Sequence, residues 1–230
     1  MLETILNLDS QLLLAINGAA SSFGDCFMWN YTKTVVWVPL VLALLYVIVR
    51  NNKVRDCIVI IVCLALAFVI ADQIASGFFK PTFQRLRPTH DPDMAQLLHV
   101  VNDYRGGLYG FVSSHAANSF AAVIFCSLVI RSWKFTVPLT VWAVINCWSR
   151  MYLGVHYPTD ILCGAIVGAF AALAAYSIYV LVQMKLTRRP YLVTWRAESH
   201  KTYKNVNLIN WVLLATVVII LLLAFAQVYL

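Results

Sequence analysis

Six apolar runs, each close to the length of a bilayer crossing, occupy most of this chain, near 34–49, 57–79, 114–131, 135–153, 160–183 and 207–229. About 20 apolar residues match the ~30 Å hydrocarbon core of a membrane, and backbone polar groups in lipid must bond within their own segment, so each run is expected to be a helix. Of the 230 residues 61% are hydrophobic and 12% charged, a balance that leaves no room for a large soluble domain and excludes a disordered, collagen-like or low-complexity chain. The expected fold class is all-α, an integral membrane bundle of about six transmembrane helices with both termini on one side.

Residues 4–28 are weaker. Ile5, Leu8, Leu12 and Ile16 recur at helical spacing, but Asn7, Asp9, Ser10, Asn17 and Asp25 interrupt them, which suits an interfacial helix better than a further span. The chain then divides into an N-terminal interfacial segment, 1–33, and a six-helix membrane domain, 34–230. No internal repeat is visible, and the N-terminus lacks the basic region and cleavage site of a signal peptide, so no removed segment is expected. Cys57, Cys63, Cys126, Cys147 and Cys163 lie in or beside apolar runs and read as small buried hydrophobes; Cys26 lies outside one.

The net charge of +7 follows from topology and needs no nucleic acid, because no Lys/Arg run alternates with aromatics. Eleven of the 17 Lys and Arg residues fall in connections on one side: Arg50, Lys53, Arg55, Arg131, Lys134, Lys185, Arg188, Arg189, Arg196, Lys201 and Lys204. That side is expected to be cytoplasmic. The outward side carries Lys33, Lys80, Arg85, Arg87, Arg105 and Arg150 with Asp91, Asp93, Asp103 and Asp160, and these cations need another explanation.

Three segments supply it. The second run ends in KPTFQRLRP, with Lys80 and Arg87 seven apart and Pro88 closing it; alone, it also reads as a snorkelling interfacial cluster. The third opens with Val112, Ser113, Ser114 and His115, where a helix N-terminus offers free N–H groups to an anion; alone, it also reads as a polar cap with an incidental His. The fourth and fifth are joined by SRMYLGVHYPTD, in which Pro158 suits the first helical turn and Asp160 can reach back to His156. Counting spans puts all three on one face, where three cations, helix-terminal donors and two imidazoles read as a phosphate site.

These segments resemble the signature of the type 2 phosphatidic acid phosphatase superfamily: K-x6-RP, then PSGH, then SR-x5-H-x3-D. The first matches at Lys80, Arg87 and Pro88, and the third at Ser149, Arg150, His156 and Asp160. The middle one departs from the pattern, with Val112 for Pro and Ser114 for Gly, while Ser113 and His115 remain. The likeness covers a catalytic core of about 57–183.

The resemblance implies a membrane lipid phosphatase in which His156 attacks phosphorus, Asp160 orients its imidazole, and His115 protonates the leaving oxygen. Lys80, Arg87, Arg150, Ser113 and Ser114 would bind the phosphate oxygens. Fixed cations and dipoles can stabilise such a transition state, so no metal or other cofactor is expected. Ser114 for Gly is expected to alter a contact without abolishing function.

The expected substrate is a lipid phosphate, with undecaprenyl diphosphate or phosphatidylglycerophosphate ahead of phosphatidate and lipid A, dephosphorylated at the outer face of a bacterial inner membrane. Two alternatives stay open: a lipid phosphotransferase using the same site, and a non-catalytic lipid transporter or anion-binding scaffold. The sequence leaves the oligomeric state open. Asp72, near the outer end of its run, reads as support for the site. Asp103, Tyr104, Arg105 and Tyr109 lie in an outward loop long enough for a lid or substrate rim. His90, His99 and His200 read as solvated, and Trp29, Tyr31, Trp37 and Tyr157 as interfacial anchors. Asn30-Tyr31-Thr32 matches a glycosylation acceptor, a match too short to carry weight.

Overall fold

Every apolar run becomes helical, and capping side chains mark the starts at Ser22, Ser114 and Pro158. The structure, a computed structural model, describes residues 2–188, 190 and 202–230. Arg189, Arg196, His200 and Lys201 therefore lie outside the described residues.

In chain order come α1 (Leu2–Asn17), α2 (Ser22–Tyr31), a 3-10 turn (Thr34–Trp37) leading into α3 (Val38–Asn51), and α4 (Val54–Asp72). A π-helical stretch (Gln73–Phe79) carries α4 into α5 (Lys80–Phe83). After a long loop follow α6 (Ser114–Ile130), α7 (Trp133–Tyr152), α8 (Pro158–Thr187) and α9 (Val206–Tyr229). Four segments, Thr34–Asn51, Val54–Phe83, Pro158–Thr187 and Val206–Tyr229, are long and apolar enough to cross a membrane; Ser114–Ile130 is a shorter apolar helix. α7 has 20 residues. Among the described residues extended pairing is limited to one antiparallel bridge, Leu86 with Tyr109.

α6 lies at the centre, packed against α4, α7 and α8, while α9 packs against α2, α3 and α7. Ile60, Ala121, Phe125, Ala171, Ile209 and Tyr179 form part of the buried core. Val41, Ile58, Leu162, Ile166, Phe170 and Leu222 face outward, as lipid-facing positions do. Lipid gives apolar side chains no reason to cluster, so close helix contact in a membrane depends on small residues. Gly164 and Gly168, one turn apart on α8, provide it: a Cβ at Gly164 would lie 2.5 Å from the Ser113 carbonyl oxygen, and one at Gly168 would overlap the Ala117 carbonyl oxygen. Pro138 inside α7 cannot donate to the carbonyl of Lys134, and Asn210 of α9 donates to that oxygen instead, at 2.9 Å.

The N-terminal segment is two helices, not one. α1 presents Ile5, Leu8 and Leu12 outward, consistent with an interfacial position, and Asn7 and Gln11 are exposed as well, but two of its polar residues are not at a water-facing surface. Asp9 and Asn17 are buried at 2% and 1% exposure, and Asn17 donates to the Tyr152 carbonyl at 2.8 Å and accepts from the His99 N–H at 2.8 Å. Tyr31, Trp37 and Tyr157 are likewise buried, correcting their reading as interfacial anchors. Trp37 donates to the Tyr31 carbonyl and Tyr157 to Asp91, so their polar atoms are satisfied inside the protein. His99 pairs with Asp25 at 2.8 Å and His90 lies 3.3 Å from the Gly106 carbonyl, so neither is simply solvated. Cys57, Cys63, Cys126 and Cys147 are buried, and Cys163 is half-buried.

Contacts of Asn51 with Lys204, of Asn52 with Tyr203 and of Arg131 with Tyr176 gather the α3–α4 turn, the α6–α7 turn and the start of α9 at one end of the bundle. The three motif segments meet at the other end.

Candidate active site

α8 begins with Pro158, and Asp160 in its first turn accepts the Tyr157 N–H at 3.1 Å, a capping arrangement that fixes the carboxylate at the helix end. The same Oδ2 lies 3.4 Å from His156 Nδ1. On the opposite side of the ring, Arg87 Nη1 is 3.1 Å from Nε2. A guanidinium can only donate, so Nε2 accepts and the ring proton sits on Nδ1, facing the carboxylate. His156 is 1% exposed, and burial, followed by the charges of Arg87, Arg150 and Lys80, holds its pKa well below 6.5. It is therefore a neutral imidazole with its lone pair directed at an arginine, the form a nucleophile needs.

Lys80 follows the π-helical stretch, a local widening common at functional sites. Its Nζ donates to Ser114 Oγ at 2.8 Å and to Ser76 Oγ at 3.3 Å, and Ser76 in turn donates to Asp72 at 3.1 Å. Ser114 thus anchors Lys80 with its hydroxyl. Ser113 caps α6, its Oγ accepting the Ala116 N–H and its own N–H donating to the Asp160 carbonyl at 3.0 Å. Its side chain is committed to the cap. What the first turn of α6 offers an anion is its remaining N–H groups, those of Ser114 and His115. His115 sits there half-buried and feels the charges of Arg150, Arg87 and Lys80 and the neighbouring His156.

Arg150, at the end of α7, donates to Thr32 Oγ1 at 2.8 Å and to the Tyr104 hydroxyl at 2.9 Å. Arg87 also donates to the Val155 carbonyl, at 3.3 Å. Burial and then repulsion from Arg150 lower the Arg87 pKa. Gly110 lets these groups close up, since a Cβ there would meet Asp160 Oδ2 at 2.9 Å and Arg87 Cγ at 3.3 Å. All eight residues singled out from the motifs thus come to one end of the bundle.

Five further residues belong to the arrangement and carry no motif. Arg85 bridges Asp160 Oδ1 at 3.0 Å and Asp9 Oδ2 at 2.7 Å. Asp9 also accepts the Thr159 N–H at 2.8 Å, so α1 holds the start of α8. Thr32 and Tyr104 hold Arg150. Arg85 is visible in sequence as part of the outward basic excess; Asp9 is visible only as a break in an apolar helix.

The charge balance decides what the site can hold. Arg85 is offset by two carboxylates, whereas the hydrogen-bond partners of Lys80, Arg87 and Arg150 are hydroxyls, carbonyls and an imidazole. Buried cations without counter-charge are costly, and Arg87 Nε and Arg150 Nε are buried with no partner. A phosphate would satisfy both conditions. Among the described residues no group of three or more His, Cys, Asp or Glu comes together as metal ligands would.

A cavity of about 440 Å³ runs from Ser114 and His115 into the bundle, lined by Leu40, Leu44, Leu64, Phe68, Val123 and Leu139 among others. It has the volume and apolar lining of a small-molecule site.

Known proteins match this architecture. A lipid A 4'-phosphatase from Bacteroides thetaiotaomicron is 39% identical over 190 residues, covering 82% of this chain and 83% of that protein. A second, from Porphyromonas gingivalis, is 33% identical over 186 residues, covering 80% and 78%. The crystal structure of a transmembrane PAP2 type phosphatidylglycerolphosphate phosphatase from Bacillus subtilis superposes with a TM-score of 0.56 at 19% identity, covering 76% of this chain and 86% of that one, a likeness of fold. The PAP2 superfamily model matches residues 57–184, from the start of α4 almost to the end of α8 and so across every motif residue, and the chain belongs to that superfamily.

Proposed function

We propose that this protein is a membrane lipid phosphatase that works through a phosphohistidine at His156, with its site on the outer face of a bacterial inner membrane. The observation that carries the reading is three cations with only neutral partners, grouped around a neutral imidazole whose Nδ1–H faces a carboxylate. Phosphate oxygens compete with His156 for Arg87, freeing the Nε2 lone pair. Nε2 then bonds to phosphorus as the bond to the lipid oxygen breaks, and His115 gives that oxygen its proton. In the second step water attacks phosphorus, the N–P bond breaks, His115 takes the water proton and inorganic phosphate leaves. Lys80, Arg87, Arg150 and the α6 N-terminus hold the charge spread over the oxygens.

The outward face is supported by the basic residues at the opposite end of the bundle. For the substrate, the relatives' names move lipid A, as its 4'-phosphate, ahead of undecaprenyl diphosphate and phosphatidylglycerophosphate. The test is phosphate release in detergent, with EDTA present, from these three lipids and phosphatidate, beside a His156→Ala variant. Release that disappears in the variant supports the reading. A folded wild type inert toward all four lipids would overturn it in favour of binding or transport.

A further inference from the structure

The cavity below the phosphate site is not uniformly apolar. Asn118, on α6, lies three residues beyond His115, and Asn146, on α7, four residues before Arg150, so both sit about one helical turn, ~5 Å, deeper than the groups that would hold phosphate. Both line the cavity, as does Trp142 one turn deeper again. Asn118 Oδ1, Asn146 Oδ1 and Trp142 Nε1 are buried with no hydrogen-bond partner. Asn146 as a whole is 8% exposed, and its Nδ2 is committed to Ser119 Oγ at 3.2 Å, which turns Oδ1 away from that contact. Three residues lining one apolar cavity thus carry buried, unpaired polar atoms, a cost relieved where a group bound beside them turns them towards it.

We infer that Asn118, Asn146 and Trp142 form a specificity site for the part of the lipid next to its phosphate, reading a backbone that carries hydroxyl or amide N–H groups. Two unpaired carbonyl oxygens ask for donors, and the indole N–H asks for an acceptor; a hydroxyl or an amide supplies these. A polyprenyl chain supplies neither, and a diacylglycerol phosphate offers ester acceptors but no donor beside its phosphate. The cavity is continuous with the phosphate site through Ser114 and His115, so a lipid held by its phosphate places its backbone at this depth. The inference rests on the hydrolase reading and narrows it to lipid phosphates whose backbone carries a hydroxyl or an amide N–H beside the phosphate.

Two diacyl lipids of similar size separate the possibilities: ceramide 1-phosphate, with an amide N–H and a hydroxyl near the phosphate, and phosphatidate, with neither. In detergent-purified wild type, kcat/KM is expected to favour ceramide 1-phosphate by about tenfold to a hundredfold, the range for one or two buried groups left unpaired. Asn118→Leu and Asn146→Leu, near-isosteric and apolar, are expected to erase that preference by lowering kcat/KM for ceramide 1-phosphate alone. Equal turnover of the two lipids by wild type would overturn the inference while leaving the hydrolase reading standing, as would variants that lower both lipids equally, since the polar atoms would then serve only bound water or packing. Inertness toward both of these lipids and toward lipid A, undecaprenyl diphosphate and phosphatidylglycerophosphate overturns the hydrolase reading and this inference together.

Discussion

Replacing Gly164 by Ala tests whether the close approach of α6 and α8 is what assembles the site. The added Cβ would lie 2.5 Å from the Ser113 carbonyl oxygen, where ordinary contact begins at 3.4 Å, so the helices must part by about 0.9 Å at that point. None of the obstacles can swing aside: the Ser113 oxygen and, at 3.3 Å, its nitrogen are backbone, and the Ala116 Cβ at 3.0 Å is fixed to its helix. Overpacking of this kind costs about 1–3 kcal/mol. The displaced segment includes the Ser113 N–H to Asp160 carbonyl bond at 3.0 Å, and Asp160 Oδ2 lies 3.4 Å from His156 Nδ1. A misplacement of about 1 Å at reacting groups lowers rates on the order of a hundredfold. The expected result is a lower unfolding temperature in detergent together with a kcat for phosphate release reduced by roughly a hundredfold. Ile166→Ala, on the outward face of the same helix at 63% exposure, should change neither quantity by much. Gly164→Ala that folds with kcat within twofold of wild type would refute the link between helix contact and site geometry.

Arg87→Lys keeps the charge but cannot reach the Val155 carbonyl, His156 and a phosphate from one planar group; kcat should fall by about 10²–10³, and a smaller loss would mean Arg87 acts as a point charge. Asp9→Asn leaves Arg85 with Asp160 as its only carboxylate; because Asp9 acts through Arg85, kcat is expected to drop roughly tenfold with KM nearly unchanged, and a change confined to KM would contradict that route. Stability should depend on pH through His156, whose pKa in the folded protein lies well below its ordinary 6.5. The unfolded chain takes up a proton below that pH and the folded site does not, so stability is greatest above it and declines as pH falls, by up to about 1.4 kcal/mol per pH unit. Unfolding of His156→Gln should lack that share of the slope.

The helices and the convergence of the motifs were legible because both follow from counting: apolar run length fixes the helices, and alternating direction fixes which ends meet. Tyr31, Trp37 and Tyr157 were misread because an interfacial belt and a buried core with a carbonyl or carboxylate in reach both suit an aromatic with one polar end. Asp9 showed in the sequence only as a break in an apolar helix. In an amphipathic interfacial helix a carboxylate is expected to face water, yet its partner Arg85 is 76 positions away, and nothing local announces such a pair.

The Asp9–Arg85 pair bears on how the site is built. An enzyme that holds phosphate with uncompensated cations must keep them apart from the nearest carboxylate, or the anion site is neutralised from within. Asp160 is buried against His156 and is the carboxylate best placed to draw in a cation. Arg85 takes that place, lying over the Tyr157 ring at 4.0 Å and occupied on its other side by Asp9. The Asp9–Arg85–Asp160 chain therefore takes up Asp160 Oδ1 with a cation outside the phosphate site, while the hydrogen bonds of Lys80, Arg87 and Arg150 go to neutral groups. On this view α1 bears on the site without reaching the groups that would hold phosphate: its apolar residues face outward, and its buried carboxylate holds Arg85 in place against Asp160 and the start of α8.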